Sequence, residues 1–172
     1  MKKYAKPLPY VAFIFGLITF ITIFLAGLQW TNPITQDVTM YTGLSISFGS
    51  RYLIINDNNY SAFAFNIGTS IAYILPFFLS LCFFVLNQIL KLKEGKKAVL
   101  MGILAVSFFA SFILLILIPN TTMSYSVIFG TRGDNSVFAN GALAYGSYIG
   151  FISSILGFIT AAFATVFPII DR

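Results

Sequence analysis

Five carboxylates make up the whole acidic inventory of this chain: Asp37, Asp57, Glu94, Asp134 and Asp171, with no histidine anywhere. General acid–base catalysis needs positioned proton carriers, and nucleophilic catalysis needs a base beside the nucleophile. No two of the five lie close enough in sequence to form a dyad, and no nucleophile–base pair stands out. A close cluster of Asp37, Asp57 and Asp134 is the arrangement that would restore an enzymatic reading, and no catalytic residue is assigned. Cys82 is the single cysteine, so neither an internal disulfide nor a cysteine metal cluster can form, and no cofactor is expected. Arg132-Gly133-Asp134 resembles the integrin-recognition tripeptide and is a candidate partner-binding element. Gly-Asp-Asn is also ordinary turn chemistry, which is the plainer reading. Two glycosylation sequons, Asn59-Tyr60-Ser61 and Asn120-Thr121-Thr122, complete the reactive inventory.

The elements that must hold these residues are set by composition. Of 172 residues, 58% are hydrophobic and only 9% charged, where a soluble domain carries roughly a quarter charged residues. Such a chain calls for lipid as its solvent. A span needs about 20 mainly apolar residues, and four stretches qualify: 8–28, 63–90, 99–118 and 142–170. The first is too long for a signal-peptide core and lacks a small-x-small cleavage site, so it reads as an uncleaved span. One domain is expected, an all-α bundle of four transmembrane helices, with loops at 29–62 and 119–141 and a linker at 91–98. Pro76 should kink the second span, with a neighbouring helix satisfying the freed carbonyl.

The net charge of +5 is distributed for membrane orientation and not for nucleic acid, which needs a continuous basic face. Lys2, Lys3, Lys6, Lys91, Lys93, Lys96, Lys97 and Arg172 fall on one side of the expected bundle; Arg51 and Arg132 fall on the other. The positive-inside rule then puts both termini and the linker in the cytoplasm of a cell-membrane protein.

The two outer loops carry strand patterns. From Val38 to Phe48 apolar and polar residues largely alternate, predicting one strand with Val38, Met40, Leu44, Ile46 and Phe48 on its buried face. A turn at Gly49-Ser50 leads to a second apolar run, Tyr52–Ile55. The second loop predicts a strand over Thr122–Phe129 and a turn through Gly130–Asn135. Lone hairpins are marginal, so the loops should pair into a small β-sheet cap on the outer side.

Within the spans, small residues recur on one helix face: Ala142, Gly146, Gly150, Ser154, Gly157 and Ala161 in the fourth, and Ala64, Gly68, Ala72, Pro76 and Ser80 in the second. Such rows let backbones approach closely, either inside the bundle or against a lateral partner. Uncharged polar residues, Asn66 and Ser70 among them, could line a solute path, though Ser and Thr also bond their own helix and Asn can bridge helices. The absence of any ionisable group in the spans argues against a proton-coupled pump.

In layout the chain is similar to claudin-like tetraspans. Trp30 opens a long first outer loop and Gly43-Leu44 follows, but the tryptophan after Gly-Leu and the cysteine pair of the claudin signature are missing. The resemblance covers topology alone, implying four helices with termini inside and strand-bearing outer loops. The function expected is non-catalytic, exercised through lateral helix packing and an ordered outer surface, as an accessory or assembly subunit or a surface-interaction protein. Expected partners are the bilayer and another copy or another membrane protein. The alternative is an oligomeric small-solute channel or transporter.

Overall fold

A computed structural model describes residues 7–32, 34–52, 60–90, 92–128, 131–137 and 141–170. Three of its helices are long and apolar enough to cross a membrane. In chain order, helix α1 (Leu8–Ile21) runs through a 3-10 turn (Thr22–Phe24) into strand β1 (Ala26–Thr31). Strand β2 (Val38–Thr42), short helix α2 (Gly43–Phe48), and strands β3 (Ser50–Tyr52) and β4 (Tyr60–Phe63) precede the first long helix, α3 (Ile67–Leu90). The second long helix, α4 (Glu94–Ile116), ends in a single turn, α5 (Ile118–Thr121). Strands β5 (Met123–Ile128), β6 (Thr131–Val137) and β7 (Gly141–Leu143) lead to the third, α6 (Tyr145–Ile170).

The first span departs from expectation. Its apolar helix ends at Phe24, not Leu28, and is shorter than the other three. Leu25 turns to an extended conformation, and from Ala26 the backbone pairs with strands on both sides. β2 and β7 flank β1 antiparallel, with Leu28 opposite both Tyr41 and Leu143. Those partners supply the hydrogen bonds a continued helix would have made, so buried Ala26, Gly27 and Leu28 keep a satisfied backbone. Gly27 allows a close approach there, since an added Cβ would lie 3.1 Å from both Gly43 Cα and the Tyr73 hydroxyl.

The predicted strand over Val38–Phe48 is also corrected. Only Val38–Thr42 is strand; Thr42 then caps α2, its hydroxyl accepting from the Ser45 amide at 3.2 Å. A Thr at the N-cap offers the backbone a helix start that period-two counting does not see. The faces are reversed too: Val38 and Met40 are exposed, while Tyr41 is buried edge-on against Phe63 at 4.8 Å. Ile46 and Ser47, placed on opposite faces by the alternation, are both fully buried.

The two loops do pair, and in two places. β1 joins β7, and β4 joins β5 in a second sheet ordered β3-β4-β5-β6. Gly49, with φ +78°, makes the entry to β3, and a Cβ there would meet the Phe63 carbonyl at 2.8 Å. Arg132-Gly133-Asp134 lies inside edge strand β6, not in a turn, with Arg132 opposite Val127. Of the expected run at Tyr52–Ile55, Tyr52 alone is among the described residues, where it ends β3.

Outward helix faces carry the bulky residues. On α4, Val99, Ile103, Val106, Phe109, Ile113 and Ile116 follow one another at three- and four-residue steps and are all exposed, the pattern of a face solvated by acyl chains. Inward lie two cores, one around Tyr41, Ile46, Tyr73 and Leu115 beneath the strands, the other around Met101, Leu104 and Phe108 towards the lysine linker.

Candidate functional site

The chemistry-bearing groups that the fold brings together are hydroxyls. At the centre of the bundle, Ser111 of α4 donates to the backbone carbonyl of Ala72 on α3 and lies 3.1 Å from Ser154 of α6. Ser154 is in turn 3.5 Å from Thr19 of α1, so one chain of polar contacts links α1, α3, α4 and α6. The Ala72 contact has a specific cause. Ala72 is four residues before Pro76, whose missing N–H leaves that carbonyl without its helical donor. Ser111 supplies it from the neighbouring helix, which is how a helix in lipid tolerates an interior proline. Sequence reasoning asked for such a donor and did not single out Ser111. Counting four residues back from Pro76 names the carbonyl, but only the packing of α4 names the donor.

A second group lies nearer the strands. Tyr73 OH is 3.0 Å from Ser147 Oγ, and Ser147 donates to the Gly27 carbonyl at 2.7 Å. With Ser147's proton committed to Gly27, the tyrosine is the donor in the first contact. This relay fastens α3 and α6 to the first residues of β1.

The small-residue row of α6 faces into this same core. A Cβ on Gly146 would strike the Ala26 carbonyl at 2.6 Å, one on Gly150 would meet Thr22 Oγ1 at 2.8 Å, and one on Gly157 would run into the Phe108 ring. Ser154 and Ala161 are fully buried on the same face, while Ala142 falls outside the helix, in β7. On α3, Ala72 is fully buried, whereas Gly68 has its nearest neighbours at 3.4 and 3.6 Å. Gly16 of α1, absent from the sequence-level rows, makes the closest approach to α3, within 2.8 Å of Ser80 Oγ and 3.2 Å of the Pro76 carbonyl for an added Cβ.

Asn66 and Ser70, the candidate solute-lining residues, sit at the strand end of α3 and are occupied there. Asn66 caps the helix by accepting from the Thr69 amide at 3.1 Å and donates to the Thr121 carbonyl at 3.1 Å. Ser70 lies within hydrogen-bond distance of both the Ser47 carbonyl, at 3.1 Å, and the Asn66 carbonyl, at 3.0 Å. Of the three loop aspartates, Asp37 is exposed and Asp57 lies outside the described residues; for Asp134 the backbone is placed in β6. Among the described residues, no group of three His, Cys, Asp or Glu side chains could hold a metal ion.

Compared with models of protein families, with curated proteins and with solved structures, the chain gives no match.

The carbonyl argument makes an expected outcome. Ser111→Ala should cost about 1–3 kcal/mol, the ordinary penalty for stranding a buried acceptor. In a Pro76→Ala background the restored N–H at position 76 can serve the Ala72 carbonyl, so the same Ser111 substitution should cost much less. Reversible unfolding in mixed detergent, run as a double-mutant cycle, reads the difference. Equal costs in both backgrounds would show that Ser111 and Pro76 do not act on one carbonyl.

Proposed function

We propose that this chain is a four-pass protein of the cell membrane that works without catalysis, as an accessory or assembly subunit presenting its strand end to a partner. The fourth crossing is the apolar segment Leu8–Phe24, and both termini and the lysine linker lie in the cytoplasm. The orientation is supported by the eight basic residues on that side against Arg51 and Arg132 on the other.

The observation that carries the docking reading is the division of apolar surface. Small residues and most hydroxyls of the long helices are used inside the bundle, Thr69 Oγ1 being a buried hydroxyl with no hydrogen-bond partner. At the strand end, by contrast, Ile34, Val38 and Met40 are 89%, 55% and 54% exposed, the last two on edge strand β2. Large apolar side chains at a free sheet edge suit association with another protein. The partner is another copy of this chain or another membrane protein.

Two measurements test this. In a Cys82→Ser background, cysteines at Ser50 and Asn135 should react with a membrane-impermeant thiol reagent in intact cells, and cysteines at Lys3 and Glu94 should not. Protein purified in mild detergent should carry a stoichiometric partner, read from its mass by light scattering. Val38→Lys with Met40→Lys should release that partner while leaving thermal stability unchanged, because both side chains are already exposed. A partner-free monomer would defeat the docking reading. So would selective solute flux through vesicles holding only this chain, the result a channel would give.

A further inference from the structure

The short helix α2 is set at an unusual level for a loop element. Gly43 packs on the 3-10 turn after α1, where an added Cβ would lie 3.0 Å from Ile23 Cα, and its amide donates to the Leu25 carbonyl at 2.9 Å. At the other end of α2, the Ser47 carbonyl accepts from the Asn66 amide at 3.0 Å and lies 3.1 Å from Ser70 Oγ. The helix therefore lies beside the first turn of α3 and the 3-10 turn that follows α1, not above them.

The bilayer boundary can be located independently of α2. Glu94, Lys96 and Lys97 fix one headgroup level on α4; Glu94 and Lys97 pair there at 3.1 Å. At 1.5 Å per residue, a hydrocarbon layer of about 30 Å takes roughly 20 residues, which from Ala98 reaches Leu117. The adjoining turn is tied across to the start of α3 by Asn66 and Thr121. The same boundary thus crosses α3 near Ile67, the level at which Ser47 is anchored. The helical part of the first span, Leu8–Phe24, is 17 residues by position and covers only about 25 Å at that rise, so α2 occupies the layer in which α1 has already ended.

One face of α2, with Gly43, Ile46 and Ser47, is buried against the protein. The other presents Leu44 and Phe48, 42% and 49% exposed. Phe48 lies 6.2 Å ring to ring from Phe65, and Phe65, Ile67 and Ile71 continue as exposed apolar residues into the outward face of α3. The face of α2 is thus an extension of a surface already solvated by acyl chains.

We infer that α2 is an interfacial anchor, lying at the boundary between headgroups and acyl chains with Leu44 and Phe48 inserted among the lipids. This rests on membrane embedding of the long helices and not on the partner-docking reading. Amphipathic segments of this kind bind through buried apolar area, and α2 needs no basic face because the fold holds it in place.

Spin-label accessibility tests the inference. Single cysteines at Leu44, Phe48, Ile71 and Ile34, each in the Cys82→Ser protein, are labelled and reconstituted into phosphatidylcholine vesicles. Collision with oxygen reports on acyl chains, and collision with a water-soluble nickel chelate reports on water. Labels at Leu44 and Phe48 should favour oxygen over nickel as the Ile71 label does, with the ratio reversed at Ile34. A nickel-favouring ratio at both α2 positions would place the helix in water and overturn the anchor. Suppressed collisions with both reagents would mean that protein, such as a second copy, covers the face, and would overturn it equally. Using two α2 positions guards against one variant that fails to fold.

Discussion

Gly146→Ile in α6 is expected to abolish the folded state in detergent, a larger effect than the same change at Gly150. The reason is the atom it would meet. A Cβ alone at this position would lie 2.6 Å from the Ala26 carbonyl and 2.7 Å from Leu25 Cβ. Those groups belong to the junction where helix becomes strand, held by β1 pairing on both sides, and cannot swing away as a side chain can. Overpacking a well-filled core ordinarily costs about 1–3 kcal/mol, and a clash with fixed backbone belongs above that range. The graded controls are Gly150→Ile, whose first obstacle is the Thr22 hydroxyl at 2.8 Å, and Gly68→Ala, whose nearest neighbours are at ordinary contact distance. Ile152→Leu, at a position 50% exposed, should be neutral. Thermal midpoints followed by size-exclusion chromatography rank the four. A Gly146→Ile protein that melts with wild type would mean that α6 does not pack against the end of α1.

The second large effect is expected in α2. Ile46→Asp and Ser47→Asp should both be severely destabilising, because each places an unpaired charge at a site with no solvent exposure. Ser47 then provides a sharper contrast. Its hydroxyl has no hydrogen-bond partner, so Ser47→Ala removes a stranded polar group and should be neutral or mildly stabilising. Unfolding in mixed detergent distinguishes these outcomes. Tolerance of Ser47→Asp alongside loss of Ile46→Asp would restore the two-faced strand that the alternation from Val38 to Phe48 suggests.

That alternation shows what can and cannot be read from the chain. The long apolar runs mark directly the three helices long and apolar enough to cross a membrane, since lipid requires uninterrupted hydrophobic length and nothing local competes with it. The small-residue row of α6 is legible in the chain as one helix face, because its period is the helix's own. Which surface it packs on is not, since a missing side chain looks the same whether the approaching backbone belongs to β1 or to another molecule. The first apolar run misled through its end: Leu25-Ala26-Gly27-Leu28 is apolar enough to continue a helix, and only pairing with β2 and β7 pulls it into a strand. In the same way Thr42 hides a helix cap within a strand pattern, and Ser111 becomes meaningful only when Pro76 is opposite it.

The pairing of β1 with β7 also dictates an order of biogenesis. Ser147 and Gly27 are 120 residues apart in sequence, yet one donates directly to the other. A ribosome adding 5–20 residues per second needs on the order of ten seconds to cover such a gap. Throughout that interval the first segment is already synthesised, while one edge of β1 has no mate and the Gly27 carbonyl has no donor. The nascent chain must therefore be sheltered at this edge until the last helix arrives, and a copy truncated before α6 should be a target for quality-control proteolysis even though its earlier segments are intact.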